Sequence, residues 1–218
     1  MTLMMSRRWA LSLALLSIAG SLAACAPLML GSAIGGAFVA TDRRTSGAQL
    51  EDQGIEFKAA HRLRGALGER GHVNVTSYNR VVLLVGEVSS DADKLTAEQV
   101  AARVENVRSV VNELAVTGNS SLTSRSNDLL LQAKVKATLV DARDVMANAF
   151  KLVVERGEVF LMGMVTEREA NRAAELASSV GGVQKVIKVL HIITEDELAR
   201  KVPPAFAPTV APSASDAR

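Results

Sequence analysis

The sequence predicts an α+β fold built from two tandem copies of one small domain, each running helix-strand-strand-helix-strand with a three-stranded mixed sheet packed on two helices. The repeat is the first observation behind that reading. Val82, Leu84, Gly86 and Val88 line up with Val159, Leu161, Gly163 and Val165, and further on Ala97, Val100, Ala101, Val104, Val107 and Val110 line up with Ala173, Leu176, Ala177, Val180, Val183 and Val186. Self-similarity of this length, present twice, marks a duplicated domain, because solenoid repeats are shorter and need more copies to bury a core. The second observation is that each copy switches between helical and alternating hydrophobic periodicity in the same order. Domains this small sit near the lower limit of independent stability, so the two copies are expected to lean on each other.

The chain begins with Met1 to Arg8, short and basic, followed by an apolar run from Trp9 to Leu22 that is too short to span a bilayer comfortably, and then by Leu22-Ala23-Ala24-Cys25. Residues 1–24 read as a secretory signal segment. The four-residue motif resembles the lipobox of bacterial lipoproteins. That resemblance implies a Cys25 thiol that is acylated, palmitate being among the chains, and that becomes the mature N-terminus; Ala26 after it, rather than an aspartate, implies sorting to the outer membrane with the domains facing the periplasm. The plain alternative is an ordinary secretory signal with an incidental thiol, against which stands the fact that the only cysteine of the chain occupies the required position. Acyl chains anchor at about 0.8 kcal/mol per buried methylene, and a lipoprotein's set exceeds the two signals that stable anchoring takes.

Residues 25–48 read as an acylated cysteine followed by a flexible Gly/Ala/Ser tether, in which Asp42-Arg43-Arg44 is a solvated charged cluster. The apolar stretch from Leu28 to Val39 leaves open a segment that hugs the membrane. The first domain, residues 49–118, opens with a helix from about Gln49 to Glu69 that places Ile55, Ala59, Leu63, Ala66 and Leu67 on one face and Lys58, His61 and Arg64 on the other, closed by Gly71. His72 to Tyr78 alternates, Asn79 turns the chain, and Val81 to Val85 is continuously apolar, so a hairpin is expected with its second strand more buried than its first. Asp91 caps a helix to about Glu105, and Arg108 to Val116 is the third strand.

The second domain, residues 119–196, repeats this order. Ser126 or Asn127 caps a helix to about Val140, a loop spans Asp141 to Asn148, and Phe150 to Glu155 turns at Gly157 into Val159 to Val165. Thr166 caps the helix Glu167 to Ser179, with Glu169 completing a capping box, and Gly181-Gly182 delivers the strand Val183 to Ile193. A right-handed crossover then puts both helices of each copy on one face of its sheet. Residues 197–218, rich in Pro, Ala and Ser without a period, read as a disordered tail.

Leu161-Met162-Gly163-Met164-Val165, the alanine-spaced helix and Gly182-Val183-Gln184-Lys185-Val186 together resemble the BON domain, and two copies after a lipobox resemble the dual-BON outer-membrane lipoproteins from residue 25 to about 194. The first copy departs at Asn106-Val107, where the family usually has Gly-Val. The resemblance implies a non-enzymatic module that binds anionic phospholipids (phosphatidylglycerol, cardiolipin), supports outer-membrane integrity and envelope remodelling at the division site, needs no cofactor, and contacts lipid through the first helix of the second domain.

Projected at about 100° per residue, that helix carries an inner stripe of Leu131, Val135, Leu139 and Ala142 and a second apolar stripe of Leu129, Leu130, Ala133, Ala137 and Val140, bordered by Lys134 on one edge and Lys136 on the other. An outward apolar strip with flanking lysines is what an interfacial helix needs, since the side chains enter the acyl boundary while the ammonium groups meet phosphates. The equivalent helix of the first domain shows no such second stripe. Leu130 stands where the family often has an aromatic, a residue type suited to the membrane interface. Packing of the strip on the first domain is the structural alternative, because exposed apolar patches mark protein interfaces as readily as membranes.

Composition excludes other classes. Lys plus Arg total 25 and Asp plus Glu 23, and Arg7 and Arg8 supply that excess, so the remainder has no net field for a polyanion. Aromatics make up only 3% of residues, which argues against base-stacking and hence against nucleic acid. His61, His72 and His191 lack metal-ligand spacing, and no nucleophile elbow or phosphate loop is present, so a hydrolase ranks last. The alternative to lipid binding is a docking module for an envelope machine, such as outer-membrane protein assembly or activation of peptidoglycan amidases.

Overall fold

The computed structural model describes residues 42–118 and 120–201. In the first domain helix α1 (Ser46–Leu67) starts at Thr45, whose hydroxyl accepts from the Ala48 N–H at 3.2 Å. It buries Ile55, Ala59, Leu63 and Leu67, a 3.6-residue stripe, while Ala66 is only half-buried. Gly68, not Gly71, ends it: Gly68 takes φ 56, a conformation glycine adopts without a Cβ penalty, and its N–H reaches back to the Arg64 carbonyl. Gly71 instead begins strand β1 (Gly71–Tyr78), which pairs antiparallel with β2 (Val81–Val88). Asn79 and Arg80 have φ values of 50 and 66, the signature of a two-residue type I′ hairpin turn.

Helix α2 (Asp91–Ala102) is capped by the Ser90 hydroxyl rather than by Asp91, and it ends three residues before the expected Glu105. The third strand is broken into β3 (Ser109–Asn112) and β4 (Ala115–Val116), both parallel to β2, because the chain bulges between them and sinks Leu114 into the core. Asn106 takes φ 67 where the second copy has Gly182 at φ 106, so asparagine, which tolerates the left-handed region, fills the family's glycine position.

The second domain follows the same path. Helix α3 (Leu122–Asp141) begins at Ser121, more than a turn earlier than the expected Ser126 or Asn127. A single turn of 3-10 helix at Ala147–Ala149 leads into β5 (Phe150–Glu155), which pairs antiparallel with β6 (Glu158–Val165) across Arg156 and Gly157. Helix α4 (Glu167–Ser178) carries the expected capping box between Thr166 and Glu169, and β7 (Lys185–Ile192) runs parallel to β6. A further helix, α5 (Glu195–Lys201), buries Leu198, so residues 197–201 are ordered helix rather than tail. No helix among the described residues is long and apolar enough to cross a membrane. The signal segment, Cys25, the tether up to residue 41 and the tail from residue 202 lie outside the described residues.

Each sheet uses both faces. Val82, Leu84 and Val88 of β2 pack on α1 and α2, and Val159, Leu161 and Val165 of β6 pack on α3 and α4. The alternate residues meet across the domains: Leu83 and Val85 join Phe160, Met162, Met164, Tyr78, Ile193 and Leu198 in a third core. The result is two helical layers enclosing two face-to-face sheets, which answers the size problem, since neither small domain has to stand on a single-faced core. At one end this seam turns polar, where buried Glu87 accepts from the Ser120 hydroxyl at 3.1 Å and Glu155 accepts from the Asn74 amide at 2.7 Å.

The Asp42-Arg43-Arg44 cluster is not a solvated linker. Arg43 is buried, with a bidentate pair to Glu169 at 2.7 Å on each oxygen and a bond to the Met164 carbonyl at 2.9 Å. Arg44 binds Asp42 and Asp52 and lies 4.0 Å over the Tyr78 ring. The guanidinium fork can satisfy a carboxylate and a backbone carbonyl together, which is why arginine rather than lysine suits the position.

Candidate membrane-binding face

Helix α3 is held in place from below. Leu131, Val135 and Leu139 are buried in the core of the second domain, and Asp128 anchors the start of that stripe by accepting from the N–H groups of Arg156 and Gly157, each at 2.9 Å. Asp52 does the same in the first domain, accepting from the N–H groups of Asn79 at 2.7 Å and Arg80 at 2.8 Å. These two aspartates tie each first helix to its hairpin turn. Apolar periodicity alone does not mark either residue; the available signal is an acid in line with the buried stripe of its helix, repeated in both copies.

With the inner stripe buried, α3 turns its other side to solvent. Leu129 is 67% exposed, Leu130 63% and Val140 60%, and Ala133, Lys134 and Ala137 are exposed between them. The strip therefore does not pack on the first domain. Because α3 starts at Ser121, the strip gains Leu122, 80% exposed, and extends to Val140 over about 27 Å at 1.5 Å per residue. The Ser-rich run before Asp128 concealed this first turn from the periodicity.

The two flanking lysines differ. Lys134 is exposed and forms no side-chain hydrogen bond or ion pair among the described residues. Lys136 is half-buried and donates to the Ala147 carbonyl at 2.9 Å, and burial lowers its pKa. It closes the helix against the 3-10 turn instead of presenting a free ammonium group, a correction to its reading as a flanking surface charge. A second basic group lies on the Lys134 side instead: Arg156, in the β5–β6 turn, lines one cleft with Leu130 and Lys134.

The first domain differs less sharply than the sequence suggested. Its helix α1 exposes Leu50 and Phe57, 70% and 73% accessible, which with Gly54 lie on one line of the helix. These are two separated side chains on a helix whose neighbouring charges are engaged, Lys58 with Glu105 and Arg62 with the Arg103 carbonyl. The continuous strip belongs to α3 alone.

The BON-domain family model matches residues 52–118 and again 127–194. The chain belongs to the BON-domain family. As a dual-BON protein it is 42% identical over 172 residues to the outer membrane lipoprotein DolP of Haemophilus influenzae, a match covering 78% of this chain and 89% of that one. It is 34% identical over 154 residues to a 21 kDa hemolysin of Actinobacillus pleuropneumoniae, covering 70% and 79% respectively. It is also similar, at 32% identity over 117 residues, to the osmotically inducible protein Y of Escherichia coli, covering 52% of this chain and 58% of that one. In both BON copies of this chain the matched segments contain the aspartate-held turn and the crossover to the last strand, so the similarity falls on the parts that make the fold.

Proposed function

We propose that this BON-domain protein is an outer-membrane lipoprotein, anchored through Cys25 and facing the periplasm, that lays the outer face of α3 on anionic phospholipid and supports outer-membrane integrity and envelope remodelling at the division site. The observation that carries the reading is the uncovered strip Leu122, Leu129, Leu130 and Val140 on a helix whose opposite stripe is fully buried. Burying a leucine side chain is worth about 1.5–3 kcal/mol, so a few such residues add a substantial affinity to an anchor that already holds the protein at the surface. Lys134 and Arg156 beside the strip favour phosphatidylglycerol and cardiolipin over zwitterionic lipid, each cation contributing about 1 kcal/mol near an anionic surface. The lipoprotein motif at Cys25 and the outer-membrane relative support the location.

Flotation of the unacylated protein with vesicles tests this. Phosphatidylglycerol vesicles should carry the parent protein and phosphatidylcholine vesicles should not, and Leu130→Glu should abolish flotation without changing the melting temperature. Retained flotation with a retained fold would turn the strip over to a protein partner of the envelope.

A further inference from the structure

Beside the strip lies a cleft of about 580 Å3, walled on one side by α3 and on the other by two turns that contain glycine. Its geometry is built. Asp128 pins the Arg156–Gly157 turn to the helix through two 2.9 Å hydrogen bonds. The Gln184 N–H donates to the Gly157 carbonyl at 2.9 Å, and the Gln184 side chain lies over Gly157 so closely that a Cβ there would stand 2.9 Å from its amide nitrogen. Gly182, at φ 106, brings the second turn against Leu131.

The charges in the cleft are unbalanced. Lys134 comes from the helix and Arg156 from the turn, and neither side chain forms an ion pair among the described residues. The one acid in the wall, Asp128, is buried and already receives two backbone N–H groups. Ser124 and Asn127 add a hydroxyl and an amide at the rim. The corresponding turn of the first domain differs: Asn79 stands where the second copy has Arg156, Arg80 is paired with Glu51, and Asp52 is also bound by Arg44 and the Ser77 hydroxyl. At this turn, then, the first copy pairs its cations, Lys58 with Glu105 and Arg80 with Glu51, and the second leaves Lys134 and Arg156 without an ion pair among the described residues.

We infer that this cleft holds the phosphate of a phospholipid headgroup, with Lys134 and Arg156 on its oxygens and the acyl chains leaving over Leu129 and Leu130. This rests on the reading of α3 as the lipid face and deepens it. A volume of this size suits a small-molecule group, and two cations converging on one phosphate bind it with charge-assisted hydrogen bonds. The same cations repel the ammonium of choline or ethanolamine headgroups, whereas the glycerol hydroxyls of phosphatidylglycerol find partners in Ser124 and Asn127. The cleft thus selects headgroup chemistry, and the strip supplies unselective apolar contact.

The test is a titration of the full mature chain, unacylated through Cys25→Ala, with dihexanoyl phosphatidylglycerol below its micelle concentration, followed by amide chemical shifts. Shifts are expected at Arg156, Gly157, Gly181 and Gly182 as well as along α3. Arg156→Asn, which keeps a residue tolerant of φ 52, and Lys134→Gln should each weaken binding about fivefold or more, while Arg103→Asn on the first domain should change it less than twofold. Dihexanoyl phosphatidylcholine should bind at least fivefold more weakly than phosphatidylglycerol. Shifts confined to α3, with parental affinity in Arg156→Asn and lost binding in Leu130→Glu, would overturn the cleft and leave the lipid face standing. Parental binding in both Arg156→Asn and Leu130→Glu would overturn both. Inorganic phosphate binding as tightly as the lipid would reassign the cleft to free anions.

Discussion

Arg43 and Glu169, 126 positions apart, meet as a bidentate ion pair at 2.7 Å with both side chains wholly removed from solvent. Glu169 is at the same time the capping-box acid of α4, accepting from the Thr166 N–H at 3.0 Å. The segment that precedes α1 is therefore sealed into the fold at the start of α4, next to the seam between the sheets.

Removing one partner of a buried pair leaves the other charged and unpaired, which costs about 3–5 kcal/mol. Arg43→Ala should lower the unfolding free energy by that amount, and in a double-mutant cycle Arg43→Ala and Glu169→Gln should be strongly non-additive. Denaturant titration reads both. Additive effects would show that the two side chains act independently and that the segment is a loose tether after all.

Glu169 and Glu155, both buried, titrate in opposite directions. At Glu169 burial opposes ionisation, but the Arg43 guanidinium and the Thr166 N–H outweigh it and hold the carboxyl below its ordinary range. Its folded pKa is depressed, so its contribution is present above the unfolded value and is lost as pH falls through the folded one. At Glu155 burial raises the pKa, the nearby Glu87 and Asp128 add to the rise, and Asn74 and Arg125 only partly offset it. The folded protein then holds a proton longer than the unfolded chain, and stability falls as pH climbs from the unfolded value through the folded one. Glu155→Gln, which keeps an acceptor for Asn74, should flatten the decline above about pH 4.3 and raise stability at neutral pH. Unfolding curves at pH 5 and pH 8 decide it, and an unchanged difference between them would remove Glu155 as the cause.

Gly163 lies opposite Phe150 in the β5–β6 ladder, and a Cβ on it would stand 2.5 Å from the Ala149 carbonyl oxygen. Because that contact is with backbone, no side-chain rotation relieves it. Gly163→Val should lower stability by about 1–3 kcal/mol or more, and Gly163→Ala should already lose a measurable part of that. A denaturation midpoint equal to the parent's would mean that β5 moves aside freely.

Much of the fold was legible because it is written in local periodicity. The two hairpins, the capping box of α4 and the inner stripe Leu131-Val135-Leu139 each follow from spacing within one element. The misread parts depend on distant partners. Arg43 sits in a Gly- and Ala-rich stretch where a charge normally signals solvent, and its partner lies in the other domain. Lys136 is flexible enough to reach the Ala147 carbonyl, in a loop with no period to foretell its path. Helix α5 offers a charged run with a single buried leucine, too little pattern to separate it from a tail. For the site, the strip was visible as a second stripe, but its first turn and the Arg156 side of the cleft emerge only from the true start of α3 and the hairpin turn that Asp128 holds against it.

Entry of the outer face of α3 into the lipid boundary can be read directly by fluorescence. The sole tryptophan of the chain is Trp9, so Leu130→Trp in unacylated protein that starts at position 25 gives a single fluorophore at the centre of the strip. Its emission should shift to the blue on adding phosphatidylglycerol vesicles and should be quenched by bromine carried on the acyl chains, while Leu95→Trp on the first domain responds to neither. Emission at position 130 that stays at its aqueous maximum, unquenched, in the presence of anionic vesicles would contradict the account.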